Sequence, residues 1–402
     1  MTAAQALDRA MTRSAGDWAD WFWSVSLPDW LRRATDPEGG LLDALDAEGR
    51  ADPEAGRTVL AQARSLFTLA HLALLSGDPA LTAAAKRQVA VLPRYRKAPG
   101  LYRRMIGRDG QPLDVLARSY DQTFVLLGLA TWNRLSPSAS VAQEIEACWQ
   151  ALSTTLTDPA TGLLLEDDGV AAPAAPGAPP RAQNPHMHLY EACLQAFEMS
   201  GNPLWQTRAA DVRALALRHF LDAQTGSIAE FLTPDLRPLP GADGLRREPG
   251  HQCEWAWLLR REVELGGDAA VLDTARRLEA FAEAQGFAPT GPLAGAAYDA
   301  VSAEGGVTEP THLLWPQTEA IKLFALRHSA GEAGMGPRAQ QLLCLVFAQW
   351  VSGRPAFVNR LDAQGRPLWS EALTRLQYHL VLALTEGARA GLWPGIPRPH
   401  NT

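Results

Sequence analysis

The 402 residues carry 47% hydrophobic and 20% charged side chains with a formal net charge of −7, a balance that suits a chain burying a large core and allows one domain over 1–402. No run of 18 uncharged apolar residues is present to span a bilayer, and the basic residues are scattered, so neither a membrane span nor a clustered nucleic-acid face is expected. Cys148, Cys193, Cys253 and Cys344 stand singly with no CxxC pair, and Met1-Thr2-Ala3-Ala4-Gln5 does not open an export leader; free thiols in the cytoplasm are expected and zinc-finger chemistry is excluded.

Along the chain, the spacing of apolar residues predicts a first helix around 17–33. A short β-prone segment, Gly40-Leu-Leu-Asp-Ala-Leu, follows and is closed by the turn Asp46-Ala-Glu-Gly49; helices are then predicted over 57–76 and 80–91. The same unit recurs. Gly100-Leu-Tyr-Arg-Arg-Met precedes helices at 115–135 and 141–157, Gly162-Leu-Leu-Leu-Glu precedes 185–200 and 203–221, and Gly226-Ser-Ile-Ala-Glu-Phe precedes 251–266 and 269–285. Gly295-Ala-Ala-Tyr-Asp leads to 314–329 and 336–352, and Ala356-Phe-Val-Asn-Arg-Leu to 372–388. The run Arg94, Arg96, Lys97, Arg103 and Arg104 reads as a solvated turn before it reads as a contact for a phosphorylated or sulfonated ligand. The Pro/Ala-rich stretch from Asp168 to Gln183 interrupts without breaking the beat, so it is read as a long surface loop near a pocket mouth.

Six helix pairs in sequence must stack as an open solenoid or close into a ring, because one amphipathic pair cannot bury both its faces. Otherwise apolar helices carry Arg64, Asp121, His188, His251, Gln317 and His379, one per repeat on the first helix of each pair. In a closed ring these converge on one pocket. The expected fold is therefore all-α, an (α/α)6 barrel of six helix pairs with short β-hairpin excursions at the pocket face.

Pro249 and Gly250 place His251 at a helix start, where the dipole favours the neutral imidazole, and Glu254 three residues on is positioned to fix its tautomer. A second His-x-x-Glu pair is His188 with Glu191. Metal sharing by such pairs is the minor alternative, since no HExxH or facial-triad pattern accompanies them. Buried, satisfied helix-start histidines are the default for any one pair alone; recurrence in three repeats favours chemistry. Two imidazoles with a guanidinium suit proton transfer beside a sugar carbonyl, through ring opening, C2 deprotonation and a cis-enediolate. A glycosidase would need two carboxylates across the bond, for which Asp121 with Glu254 or Glu319 are candidates. Thirteen Trp offer flat faces for sugar C–H bonds, though core packing accounts for most.

Asn184-Pro-His-Met-His188-Leu-Tyr-Glu-Ala, Pro249-Gly-His251-Gln-Cys-Glu254-Trp, Trp315-Pro-Gln-Thr-Glu319-Ala and Tyr378-His379 resemble motifs of the N-acylglucosamine 2-epimerase superfamily, in its mannose isomerase, sulfoquinovose isomerase and phosphomannose-isomerase-like branch. The resemblance implies that His379 moves a proton between C1 and C2, and that His251, oriented by Glu254, opens the ring or acts on the second face. Arg64 would polarise O1 or O2 and hold the enediolate. His188 and Trp315 would contact the sugar, with Tyr120, Asp121, Asn184, Gln317, Glu319 and Trp369 as further pocket residues. It implies no metal, no cofactor, and a small sugar substrate of the mannose/fructose type, acted on by a monomer or homodimer. A sugar 2-epimerase or phosphomannose isomerase is the alternative. Trp369-Ser-Glu-Ala-Leu-Thr-Arg-Leu-Gln-Tyr-His379 is expected to run helically into His379, where many isomerases carry a Gly-Lys-Pro-Asp type approach.

Overall fold

The structure, a computed structural model, describes residues 12–399. Ser14 starts α1 (Ala15–Trp21) with a reciprocal capping box to Asp17, and a π turn at 22–26 carries the chain into α2 (Leu27–Ala34). Helix pairs follow: α3 (Val59–Ser76) with α4 (Pro79–Val89), α5 (Ser119–Leu135) with α6 (Ala139–Gln150), and α7 (Asn184–Ser200) with α8 (Pro203–Phe220). A short helix absent from the sequence expectation, α9 (Gly241–Leu245), precedes α10 (Pro249–Glu264) and its partner α11 (Val271–Gln285). The chain continues with α12 (Leu314–Ser329), α13 (Met335–Val346) and α14 (Gln377–Arg389).

The inner ring is α3, α5, α7, α10, α12 and α14, each packed on the next, and α14 returns to α3 to close it. This is the (α/α)6 barrel. Inner helices are buried on nearly all sides, which explains their weak amphipathicity. By length and composition α3 would pass for a membrane span, yet 83% of it is buried inside the protein. The pairs are offset relative to the chain: the outer position beside α13 is filled by the N-terminal segment, where Trp18 stacks on Phe347 at 5.4 Å between ring centroids.

The Gly-led segments form short antiparallel pairings at one end of the barrel. Ser227–Ile228 pairs with Leu221–Asp222, Leu101–Tyr102 with Arg96–Ala98, and Arg360–Leu361 with Pro367–Trp369. Gly100 shows why glycine leads: its φ is 69°, and a Cβ there would lie 2.0 Å from the Ala147 carbonyl oxygen.

In five of the six repeats one inner-helix side chain fastens the excursion; Gln377, at the corresponding place in the sixth, is buried with its side-chain oxygen unpartnered among the described residues. Gln62, Gln122, Gln252 and Gln317 each accept from the backbone N–H and donate to the carbonyl of one residue, respectively Leu41, Tyr102, Ile228 and Ala297. In the third repeat His186 Nε2 accepts from Leu164 N at 2.9 Å. These amides satisfy backbone groups that no sheet partner reaches. Gln252→Leu orphans both polar groups of fully buried Ile228, at about 1–3 kcal/mol each. Chemical denaturation should show that loss with little change in unfolding cooperativity.

Candidate active site

The hairpin end of the barrel opens into a cavity of about 480 Å³. Arg64, Tyr120, Asp121, Asn184, His188, His251, Glu254, Trp315, Trp369 and His379 all line it. The first turns of the inner helices supply most of them, because Pro at the start of α7 and α10 ends the preceding strand and opens the helix beside the mouth.

His379, on α14, shares a 2.7 Å contact between Nδ1 and Glu319 Oε1. With a carboxylate as acceptor, Nδ1 carries the proton, and Nε2 is the free nitrogen. Arg64 Nη1 lies 3.2 Å from that Nε2, while Arg64 Nη2 donates to the Tyr120 hydroxyl at 2.7 Å. Burial first, then the charges of Arg64 and Lys322, push the His379 imidazole well below its ordinary value, so it is neutral. Behind Glu319, the fully buried Lys322 Nζ sits 2.6 Å from Glu319 Oε2 and 4.1 Å from the Trp257 ring centroid. Glu319 thus does not line the cavity; it supports the imidazole that does.

His251 departs from the sequence expectation twice. Its Nδ1 is 2.7 Å from Glu230 Oε2 and 3.4 Å from Glu248 Oε2, so Glu230, not Glu254, orients it. Burial works to lower this imidazole, but the carboxylates of Glu230 and Glu248 outweigh it and raise it to about 10. It is a cation at neutral pH, because two local carboxylates dominate the helix-start dipole. Glu230 is held in turn by Gln183 Nε2 at 3.1 Å and by the Glu248 backbone N–H at 2.9 Å, and Gln183 accepts from Trp255 Nε1 at 2.7 Å. Trp315 lies against both histidines, with ring centroids 4.8 Å from His251 and 6.1 Å from His379.

His188 Nδ1 is 2.9 Å from Glu191 Oε2, and Tyr378 donates to the other oxygen of Glu191. Burial lowers His188 to about 4 despite that carboxylate. Glu254 Oε1 lies 4.0 Å from His188 Nδ1 and has no hydrogen-bond partner; burial, then the charge of Glu319, hold its carboxyl well above the usual range. Asp121 is raised to about 7, chiefly by burial. Two trios, His188 with Glu191 and Glu254 and His251 with Glu230 and Glu248, bring ligand-type atoms within 4.8 Å of one another and are where a cation could be held. Holding it on these atoms would compete with the imidazole–carboxylate contacts above.

Gln317 does not reach the cavity; it is the fastener of Ala297. The polar residues that recur once per repeat therefore occupy three helical registers. Arg64, His188, Glu254 and Glu319 stand two residues after a fastener, His379 two after Gln377 in the corresponding place, and Asp121 and His251 one before a fastener. Each step turns the side chain by about 100°, so Gln317 faces the excursion. The approach to His379 is not one helix: Pro367–Trp369 and Ala372–Leu373 are strands, a 3₁₀ turn spans Thr374–Leu376, and α14 begins at Gln377. Of the basic run, only Arg104 lines the cavity; Arg96 and Lys97 pair outside it with Glu144 and Asp168.

Sequence reasoning missed Glu230, Glu248, Gln183, Lys322 and Arg375. Glu230 had a signal, being the acid at the end of the Gly226 excursion; buried Lys322, one turn past Glu319, was a second.

The model of the N-acylglucosamine 2-epimerase family matches residues 40–383. The mannose-6-phosphate isomerase of Rhizobium meliloti (strain 1021) is 33% identical over 92% of this chain and 96% of its own length. The D-mannose isomerase of Marinomonas mediterranea is 24% identical over 73% of this chain and 76% of its own. Among solved structures, a D-mannose isomerase superposes with a TM-score of 0.81 at 21% identity, covering 93% of this chain and 97% of that one. The cellobiose 2-epimerase of Bacillus thermoamylovorans B4167 gives 0.79 at 17%, over 90% and 96%. Both share the fold. With a family match over most of its length and a relative above 30% identity, the chain belongs to the N-acylglucosamine 2-epimerase family.

Proposed function

We propose that the protein, a sugar isomerase or 2-epimerase by family, interconverts a mannose-type aldose with its 2-ketose without a cofactor. The observation that carries this reading is a neutral imidazole, His379, and a cationic one, His251, on the wall of one cavity with the Trp315 ring against both. Cationic His251 donates its Nε2 proton to the ring oxygen as the C1–O5 bond breaks, and the O1 hydroxyl proton returns to His251 Nε2 as O1 becomes the carbonyl, giving the open aldehyde. His379 Nε2 then takes the C2 proton, and the electron pair moves into a C1–C2 double bond, leaving a cis-enediolate whose oxygens meet Arg64. The O2 hydroxyl proton passes to O1, and returning the proton from His379 to C1 while O2 becomes the carbonyl yields the ketose. The printed names of two relatives, mannose-6-phosphate isomerase and D-mannose isomerase, support this choice.

The second reading is 2-epimerisation, favoured by the same cationic His251: a proton carrier other than the base is what delivery to the opposite face of C2 requires. Incubation with mannose and chromatography of the products separates them. Fructose is expected; glucose without fructose would move the assignment to an epimerase, and no fructose from any aldose would remove the isomerase reading.

A further inference from the structure

The cavity wall carries Glu230 and Glu248 around His251, and elsewhere Arg64, Arg104, Arg118 and Arg375 together with Asp121, Glu166 and Glu254. Arg104 is matched by Asp114 at 2.9 Å and Arg118 by Glu166 at 2.6 Å. Among the described residues, Arg64 and Arg375 are the arginines of this wall with no carboxylate within ion-pair distance. Arg64 is already engaged by His379 and Tyr120. Arg375 is half-buried in the 3₁₀ turn before α14, and among the described residues no hydrogen bond or ion pair holds its guanidinium. Its strongest charged neighbours are Arg64 on α3, Asp43 in the first excursion and Asp121 on α5, and it also borders a depression lined by Asp46, Arg50, Asp52 and Glu371. Asp43 is committed to the Thr58 backbone N–H, with both oxygens at 3.1 Å, and to the Thr58 hydroxyl. Asp121 makes no ion pair.

Two guanidiniums on one wall, neither of them held in an ion pair, keep donors open to an arriving anion. Arginine's planar fork suits an oxyanion with several acceptor oxygens. We infer that Arg375 is a binding residue for a phosphomonoester on the sugar, so that the preferred substrate is a phosphorylated aldose. This rests on the isomerase reading above and deepens it. The basic run at Arg94–Arg104, the sequence's own candidate for such a contact, points elsewhere apart from Arg104; the free cation comes from the strand-and-turn approach to His379.

The test compares mannose with mannose 6-phosphate on the full chain, taking the ratio of their kcat/KM values. The parent should favour the phosphate by roughly tenfold to a hundredfold, the reach of one or two charge-assisted hydrogen bonds. Arg375→Gln should bring that ratio towards one, mainly through KM for the phosphate, and Arg375→Lys should restore part of it. Equal use of both sugars by the parent, or a ratio surviving Arg375→Gln in folded protein, overturns the inference while leaving the isomerase reading in place. Should neither sugar be converted, the isomerase reading falls, and calorimetric binding of mannitol 6-phosphate against mannitol decides the anion site alone. Tighter binding of the phosphate that Arg375→Gln abolishes supports the site; equal binding overturns it.

Discussion

His379→Ala is expected to lower kcat by roughly 10²–10⁴-fold, the usual contribution of a positioned general base, while the far-ultraviolet spectrum and melting behaviour stay near the parent's. The side chain lies at the cavity wall, and its removal leaves Glu319 its ion pair with Lys322, so the loss should fall on chemistry before stability. Glu319→Gln should be milder: an amide can accept from Nδ1 through its oxygen, but it abandons the charge that Lys322 balances. The pH profile of kcat/KM gives an independent readout. A base must be neutral, so activity is present above the His379 pKa, which burial, Arg64 and Lys322 push well below 6.5. An acid must be protonated, so activity falls as pH rises through the His251 pKa, raised to about 10 by Glu230 and Glu248 against burial. A broad plateau through neutrality is expected. Glu230→Gln, which removes one of the two carboxylates, should draw the alkaline limb towards neutrality. An unshifted limb would show that His251 is not the acid.

Arg64→Ala is the second large effect, expected at about 10²–10³-fold in kcat by analogy with loss of one oxyanion donor. Arg64 is held over Phe124 at 4.0 Å and Tyr378 at 5.0 Å from the ring centroids, so its fork is aimed before substrate arrives. Negative charge on O1 and O2 appears only after C2 is deprotonated. The deficit should therefore sit in kcat with a smaller change in KM, and Arg64→Lys should recover only part, because an ammonium keeps the charge without the fork. A defect confined to KM would mean that Arg64 binds the ground state and does not hold the enediolate.

Much of this architecture is legible in the residues. The recurrence of Gly-led excursions between apolar helices gives the barrel, and the helix-start motifs around His188 and His251 mark its open end. Three things escape a linear reading. Helical rotation separates positions that look alike: Gln317 and Glu319 are two steps apart, yet one ties down the Ala297 segment and the other props His379. Pairing across repeats is also invisible to local spacing. Glu254 stands three residues from His251, but the acid that reaches its Nδ1 is Glu230, 21 residues back in a loop. Arg375 was hidden for a third reason: it looks like any charged residue near a helix start until the fold shows it on the cavity wall without an ion-pair partner.

The offset between chain order and ring order has a consequence for biosynthesis. Helix α14, which carries His379, packs against α12 and also against α3, so the ring stays open until α14 has left the ribosome. A nascent chain ending before Gln377 has every other inner helix but a gap in the wall beside Arg64, with the apolar flanks of α3 and α12 bare to solvent. Such an intermediate exposes apolar surface and has no proposed base, so the step that closes the wall is also the step that completes the site.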